Sequence, residues 1–269
     1  MARGAVAGRA EEIRRSFEDN GFVVVRGVFS GAEMRGLLEV VGRIEARAHP
    51  YEEQDLLWEP SNPRLLRNAF GVMHQAGEFR AVALDPRLVD AVEALIGPDI
   101  DIYGDGLFAK PAREGSVVPP HQDMPYWSFR PYRLVTAWLA LEPATPANGC
   151  LRFFAGSHKL GVLEHAPSNV PGNSKSLARP DSLDPATERA VELEPGDVCF
   201  HHCLTVHRSD PNRSDRSRRG YTVIYMPGET EYTGAEPYRF PFVHVRGCES
   251  PAFRSMAAGA EPEGGPRAR

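Results

Sequence analysis

Three residues in the middle of the chain have the types and spacing of a metal site. His121 and Asp123 stand two apart in the run Pro119-Pro120-His121-Gln122-Asp123, and a single His207 follows much later. In an extended segment, residues two apart project from the same face, so one imidazole and one carboxylate are predicted to meet one ion. Alone the pair carries little weight: with nine His in the chain, an HxD triplet has about an even chance of arising somewhere. A satisfied loop pair is the competing reading.

The surroundings of His207 add to it. Gly196-Asp197-Val198-Cys199-Phe200 is followed by His207-Arg208-Ser209, Asn212, Ser214 and Arg218. Two imidazoles and one carboxylate on one face satisfy iron(II) and leave about three positions open, room for a bidentate keto acid and for dioxygen. A structural zinc site would be closed. Arg218 lies eleven residues after His207, beyond the turn at Asp210-Pro211-Asn212, which places it on the next strand. There its planar guanidinium can fork onto the distal carboxylate of a dicarboxylic cosubstrate, with Ser209 adding a hydroxyl donor. Arg213, Arg216 and Arg219 crowd the same stretch, so a solvated turn competes for Arg218.

The elements that must hold these residues are short helices followed by many short strands. Glu11 to Asp19 reads as a helix ended by Gly21, and Phe22-Val23-Val24-Val25 as a strand. Ser30 and Glu33 form a capping box before the helical stripe Met34, Leu37, Leu38, Val41 and Ile44. Asp85-Pro86 opens another helix, with Leu88, Val89, Val92, Leu95 and Ile96 as its stripe. Then the period changes: Ile100 to Ala109, Leu134 to Leu141, Leu151 to Phe154, Ala190 to Leu193, Asp197 to Phe200 and Tyr221 to Tyr225 are predicted strands. Helices buttressing a sandwich or barrel is the implied architecture. Residues 1–256 are expected to form one domain, with a polar loop or lid at about 160–190 and a disordered tail over 257–269.

Bulk properties narrow the function. A net charge of −5 with the 31 Lys and Arg scattered offers no stripe to track a phosphate backbone, which argues against nucleic acid. Met1 to Ala10 lacks the apolar run of a signal peptide, and nothing in the sequence approaches the roughly 20 apolar residues of a membrane span. Cys150, Cys199, Cys203 and Cys248 show neither CxxC pairing nor scaffold density, so reduced thiols in a cytoplasm are expected.

Further blocks stand in order around the candidate site: Lys110-Pro111, Tyr126, Phe129-Arg130-Pro131, Thr136-Ala137-Trp138, Asn148-Gly149-Cys150-Leu151, Gly156-Ser157-His158-Lys159 and Gly196-Asp197. Together with the His121, Asp123 and His207-to-Arg218 blocks, over roughly residues 20 to 226, they make the sequence resemble the phytanoyl-CoA dioxygenase family of iron(II) and 2-oxoglutarate oxygenases. The resemblance implies a double-stranded β-helix, a jelly roll of cupin type, buttressed by N-terminal helices. It implies His121, Asp123 and His207 as iron ligands and Arg218 and Ser209 as the grip on 2-oxoglutarate. Trp138 becomes a wall of that pocket, against its reading as an ordinary core aromatic. Family members often carry a Lys in the segment matching Leu66 to Phe70, where this chain has Arg67 and Asn68. His158, His201 and His202 are expected to pack beside the site rather than ligate.

The expected activity is a dioxygenase that uses Fe(II), 2-oxoglutarate and O2 to hydroxylate, or otherwise oxidise by C–H abstraction, a small molecule of secondary metabolism. In related halogenating enzymes a small residue replaces the carboxylate ligand, and Asp123 is present here. A non-catalytic jelly-roll binding protein, against which the complete ligand and Arg218 positions argue, and a metal-dependent cupin-like isomerase or hydrolase, which has no use for Arg218, are the alternatives. Tyr126, Trp127, Phe129, Phe70 and Met73 are candidates for an apolar pocket or for core, and Arg130 and His74 for a polar contact. The substrate and the oligomeric state are not readable.

Overall fold

The structure is a computed structural model that describes residues 10–170, 173–235 and 238–259. The expectations for Met1 to Arg9 and for the tail from residue 260 onward lie outside the described residues.

Helix α1 (Ala10–Asn20) buries Ile13 and Phe17, one turn apart. It ends at Gly21, whose φ of +81° only glycine adopts freely and whose N–H donates back to the Phe17 carbonyl. Strand β1 (Phe22–Val25) follows. Helix α2 (Gly31–Glu45) carries both halves of the capping box expected at Ser30 and Glu33. Val40 completes its buried face, while Leu38 is only half-buried.

The sequence reading missed the next part. Strands β2 (Leu56–Glu59) and β3 (Asn62–Phe70) form a hairpin, followed by the short helices α3 (Val72–Gln75) and α4 (Gly77–Ala83). Helix α5 (Pro86–Ile96) begins as expected, Asp85 accepting from the Arg87 N–H.

The remaining strands are β4 (Ile100–Lys110), β5 (Val118–His121), β6 (Phe129–Arg130), β7 (Val135–Ala140), β8 (Leu151–Phe154), β9 (His165–Pro167), β10 (Lys175–Leu177) and β11 (Glu188–Val191). After them come β12 (Val198–His202), β13 (His207–Ser209), β14 (Arg218–Pro227), β15 (Glu231–Tyr232) and β16 (Val243–Arg246), then helix α6 (Pro251–Gly259). The strand expected at Ala190 to Leu193 starts two residues earlier, at Glu188. The polar loop or lid expected at about 160–190 contains the β9–β10 hairpin. Residues 257–259, expected to be disordered, end α6.

Two antiparallel sheets face each other. The larger has order β1-β12-β7-β14-β4-β3-β2 with β16 also on β4, and the smaller has order β11-β8-β13-β5. This is the expected mainly β, jelly-roll arrangement, an open sandwich rather than a closed barrel. The alternation of β14 shows how it is built: Arg219, Tyr221, Val223 and Tyr225 face the helices, while Arg218, Thr222 and Ile224 line the space between the sheets. Tyr221 and Tyr225 are fully buried, Tyr221 with its hydroxyl 3.4 Å from the Phe79 carbonyl of α4 and Tyr225 donating to the Ala83 carbonyl. Burying each such aromatic is worth roughly 1.5–3 kcal/mol. The main core therefore lies outside the larger sheet, and the inter-sheet space stays available for a site. Among the described residues no helix is long and apolar enough to cross a membrane.

Candidate metal and cosubstrate site

His121, Asp123 and His207 converge between the sheets, their ligand atoms all within 4.8 Å of one another. The expected extended geometry holds only for His121, the last residue of β5. Asp123 has helical torsions (φ −70°, ψ −38°) and opens a short 3-10 turn. The correction is that a turn, not strand alternation, brings the carboxylate to the imidazole. His207 on β13 pairs directly with His121 on β5, which sets the two rings side by side. Nε2 of His207 lies 3.6 Å and that of His121 3.8 Å from Asp123 Oδ1.

The second atoms of these groups are tied down. His121 Nδ1 faces the Pro119 carbonyl at 2.9 Å and His207 Nδ1 the Thr205 carbonyl at 3.0 Å. An Nδ1–H donating to each carbonyl leaves both Nε2 lone pairs for a metal. Burial pushes His207 down to about 3 and lowers His121 as well, so both rings are neutral, the ligating form. Burial alone would raise the Asp123 carboxyl, but His207, His201 and His121 hold it below the usual carboxylate range. Thr136 Oγ1 and His201 Nε2 each donate to Asp123 Oδ2 at 3.1 Å, orienting Oδ1 toward the rings. His201, expected to pack beside the site, thus meets the carboxylate of the cluster.

Gln122, between two ligand candidates, points the other way. Fully buried, it donates to the Gly161 and Leu204 carbonyls and accepts from the Leu163 N–H.

Arg218, Ser209 and Trp138 line one cavity of about 440 Å³ together with the triad. Arg218 is buried on β14 and donates to the Phe108 and Gly149 carbonyls, while its Nε has no partner. No carboxylate contacts it among the described residues, and burial lowers it to about 10. A buried guanidinium without a counter-ion is costly unless an anion arrives. Its Cζ lies 5.2 Å from the Trp138 ring centroid, so the indole is both core and cavity wall. Gly220 makes that possible: a Cβ there would come within 2.1 Å of the Trp138 ring. Arg219, on the opposite face, pairs with Glu45 and Glu142.

Of the candidate pocket residues, Phe70, Tyr126 and Trp127 line the cavity, whereas Phe129 and Met73 are core. Arg130 stacks over Tyr132, and His74 stacks on Phe240 away from the triad. The sequence reading missed Glu59, Tyr103, Phe108, Ser116 and Tyr238, which also line the cavity, and it singled out Lys110 only as part of a block. His158 and His202 stand apart from the triad, next to each other and to α1.

Fold and site together define a non-haem iron and 2-oxoglutarate-dependent oxygenase. The family model for phytanoyl-CoA dioxygenase (PhyH) matches residues 17–220, and the chain belongs to that family. A probable phytanoyl-CoA dioxygenase of Caenorhabditis elegans is 37% identical over 52% of this chain, which spans 48%, about half, of that protein. The peroxisomal phytanoyl-CoA dioxygenase of Rattus norvegicus is 30% identical over 82% of this chain and 69% of its own length. Among solved structures, the non-haem monooxygenase ThoJ matches with a TM-score of 0.75 and 26% identity, over 90% of this chain and 86% of that one. EctD from S. alaskensis, crystallised with 2-oxoglutarate and 5-hydroxyectoine, shares the fold at a TM-score of 0.71 and 22% identity, over 91% of this chain and 86% of that one.

Proposed function

We propose that this chain oxidises a C–H bond of a small molecule, most simply by hydroxylation, with His121, Asp123 and His207 holding iron(II) and Arg218, Ser209 and Trp138 holding 2-oxoglutarate. The observation that carries the reading is the pairing, in one cavity, of a three-residue site that leaves positions open with a buried arginine lacking a counter-ion. Iron(II), 2-oxoglutarate and dioxygen supply the oxidation of the substrate and release succinate and CO2. The protein's own part is positional. Pro119 and Thr205 carbonyls fix the imidazole tautomers, His201 and Thr136 aim the carboxylate, and Arg218 orients the keto acid by its far end.

Residues up to 256 are read as one oxygenase unit in which the segment near 160–190 covers the cavity. Asn173 and Ser174 line it, and Tyr126 Oη donates to the Lys175 carbonyl at 2.7 Å. A small molecule of secondary metabolism is the proposed substrate, and the free thiols of Cys150, Cys199, Cys203 and Cys248 support a cytoplasmic setting. The test is succinate release from 2-oxoglutarate by the iron(II)-loaded protein against a metabolite library. Failure of the loaded protein to bind 2-oxoglutarate at all would overturn the reading.

A further inference from the structure

Lys110 is the last residue of β4 and lies directly opposite Arg218, the first of β14. Directly opposite residues have Cβ atoms about 4.5–5.5 Å apart, so two basic side chains share one corner of the cavity. Both side chains are buried. The stem of Lys110 passes Gly149, where a Cβ would come within 2.8 Å of Lys110 Cδ, and Gly115, where one would come within 2.6 Å of Lys110 Cβ. Gly149, whose missing side chain clears this path, also supplies a carbonyl to which Arg218 donates.

Lys110 Nζ donates to the Ser116 carbonyl. The charged groups around it are Arg218 from β14, Arg67 from β3, Glu59 from β2 and Asp210 from the turn after β13. Glu59 is already engaged: it accepts from the Ser116 hydroxyl and N–H and stands 3.9 Å from Arg67. Cys150, beside Gly149, is kept as a neutral thiol by burial. Two guanidinium groups and one amine thus face the cavity corner with one occupied carboxylate in their midst. Asp210 is spent on Arg208 and Arg152.

We propose that Lys110 is a second cation for the distal carboxylate of 2-oxoglutarate, and that its amine takes up one proton from solvent as the cosubstrate binds. This rests on the reading of Arg218 given above. Before binding, burial and the neighbouring arginines push Lys110 down to about 6, so at neutral pH it is largely uncharged. A carboxylate placed between Lys110 and Arg218 reverses the balance and favours the ammonium. Both carboxylates of the ligand are ionised above pH 6, so the proton cannot come from the ligand.

The experiment is calorimetric titration of 2-oxoglutarate into iron(II)-loaded protein without oxygen, in buffers of different ionisation heat. Wild type is expected to take up close to one proton per ligand near pH 7.5, with Kd weakening by up to about tenfold per pH unit above pH 6. Lys110→Met should show no uptake, a flat pH profile and roughly tenfold weaker binding at pH 6.5. Lys110→Arg, which stays charged, should bind without uptake, and it decides the matter if the Met variant does not fold. Uptake that persists in either variant overturns the proposal. If Arg218→Ala binds as wild type, the reading of the cosubstrate site falls as well. If Arg218→Ala weakens binding while Lys110→Met matches wild type in affinity and uptake, only the role of Lys110 falls.

Discussion

The two ends of the cavity are built from the same strand by opposite means. At the end of β4, Lys110 joins Arg218, Arg67, Glu59, Ser116 and Ser209 in a polar corner where almost every side chain is buried. Six residues back, about 20 Å along the strand, the face of β4 carries Gly104 and Gly106. These glycines have no left-handed torsion to explain them. A Cβ at Gly104 would approach Tyr238 Oη at 3.4 Å, and one at Gly106 would lie 3.0 Å from the Ala69 carbonyl and 3.3 Å from the Phe108 ring. Leu57, Phe70, Phe108 and Tyr126, four large apolar side chains that remain exposed, line the same cavity. Buried basic side chains make one end the proposed seat of a single small anion. Absent side chains and exposed rings make the other a chamber whose occupant shape decides. The triad lies toward the glycine end, since Thr136, which donates to Asp123, pairs with Ile224 and Ile224 with Gly104.

The largest effect should come from the proposed metal site. Asp123→Ala is expected to lose bound iron and drop succinate release to background, measured by metal analysis and 2-oxoglutarate turnover; ordinary hydroxylase turnover in the variant would remove Asp123 from the metal site. Next is the polar end. Losing a charge-assisted pair in a partly desolvated pocket costs about 2–5 kcal/mol, so Arg218→Ala should weaken anaerobic 2-oxoglutarate binding roughly 30-fold or more. Arg219→Ala, whose ion pairs with Glu45 and Glu142 face the helices, should leave that affinity nearly unchanged. The reverse result would mean that the strand register is off by one.

At the aromatic end, Gly106→Val should keep 2-oxoglutarate affinity within about twofold while abolishing substrate-stimulated succinate release, because it fills the chamber without touching the charges. Loss of cosubstrate affinity there would show that the two ends are not separate. The smallest effect on the site should come from Asp105, which lies behind the glycines and accepts from the Met73 N–H and Tyr221 Oη. Burial pushes its carboxyl up to about 7. The native state therefore holds a proton that the unfolded chain, with a carboxyl near 4, has released, and stability falls as pH rises from about 4 to about 7. Relative to wild type, Asp105→Asn should gain on the order of 2 kcal/mol in urea unfolding between pH 5 and 7, with 2-oxoglutarate binding unchanged. A constant difference across that range would place the carboxyl elsewhere on the pH scale.

The contrast between the ends also explains what the sequence could convey. The polar end and the metal site use rare, chemically distinct residues at fixed separations, so His121, Asp123, His207 and Arg218 stand out by type. The helices with caps were legible because Ser30, Glu33, Asp85 and Pro86 act locally. Strands β2 and β3 were not: Glu59, Arg67 and Asn68 are buried polar residues that the cavity requires, and they break the apolar alternation by which a strand is recognised. Helix α3, with four residues, is too short to show a period. The aromatic end was the least legible. Phe70 and Phe129 are the same residue type, yet one lines the chamber and the other is core, a difference set by partners distant in sequence. Glycines that make room, such as Gly106 and Gly220, look like turn residues until the ring they admit is seen.

Gln122 gives the site a mechanical property. Its side chain is bolted to residues 161, 163 and 204, and its backbone is the single link between His121 and Asp123. The segment that runs on from Leu163 into the β9–β10 hairpin cannot swing far without tugging the peptide on which two ligand candidates ride. Force therefore travels both ways along this lever: clamping the triad with metal should stiffen the anchorage at Leu163, and its amide should exchange with deuterium more slowly in the metal-loaded protein than in the stripped one.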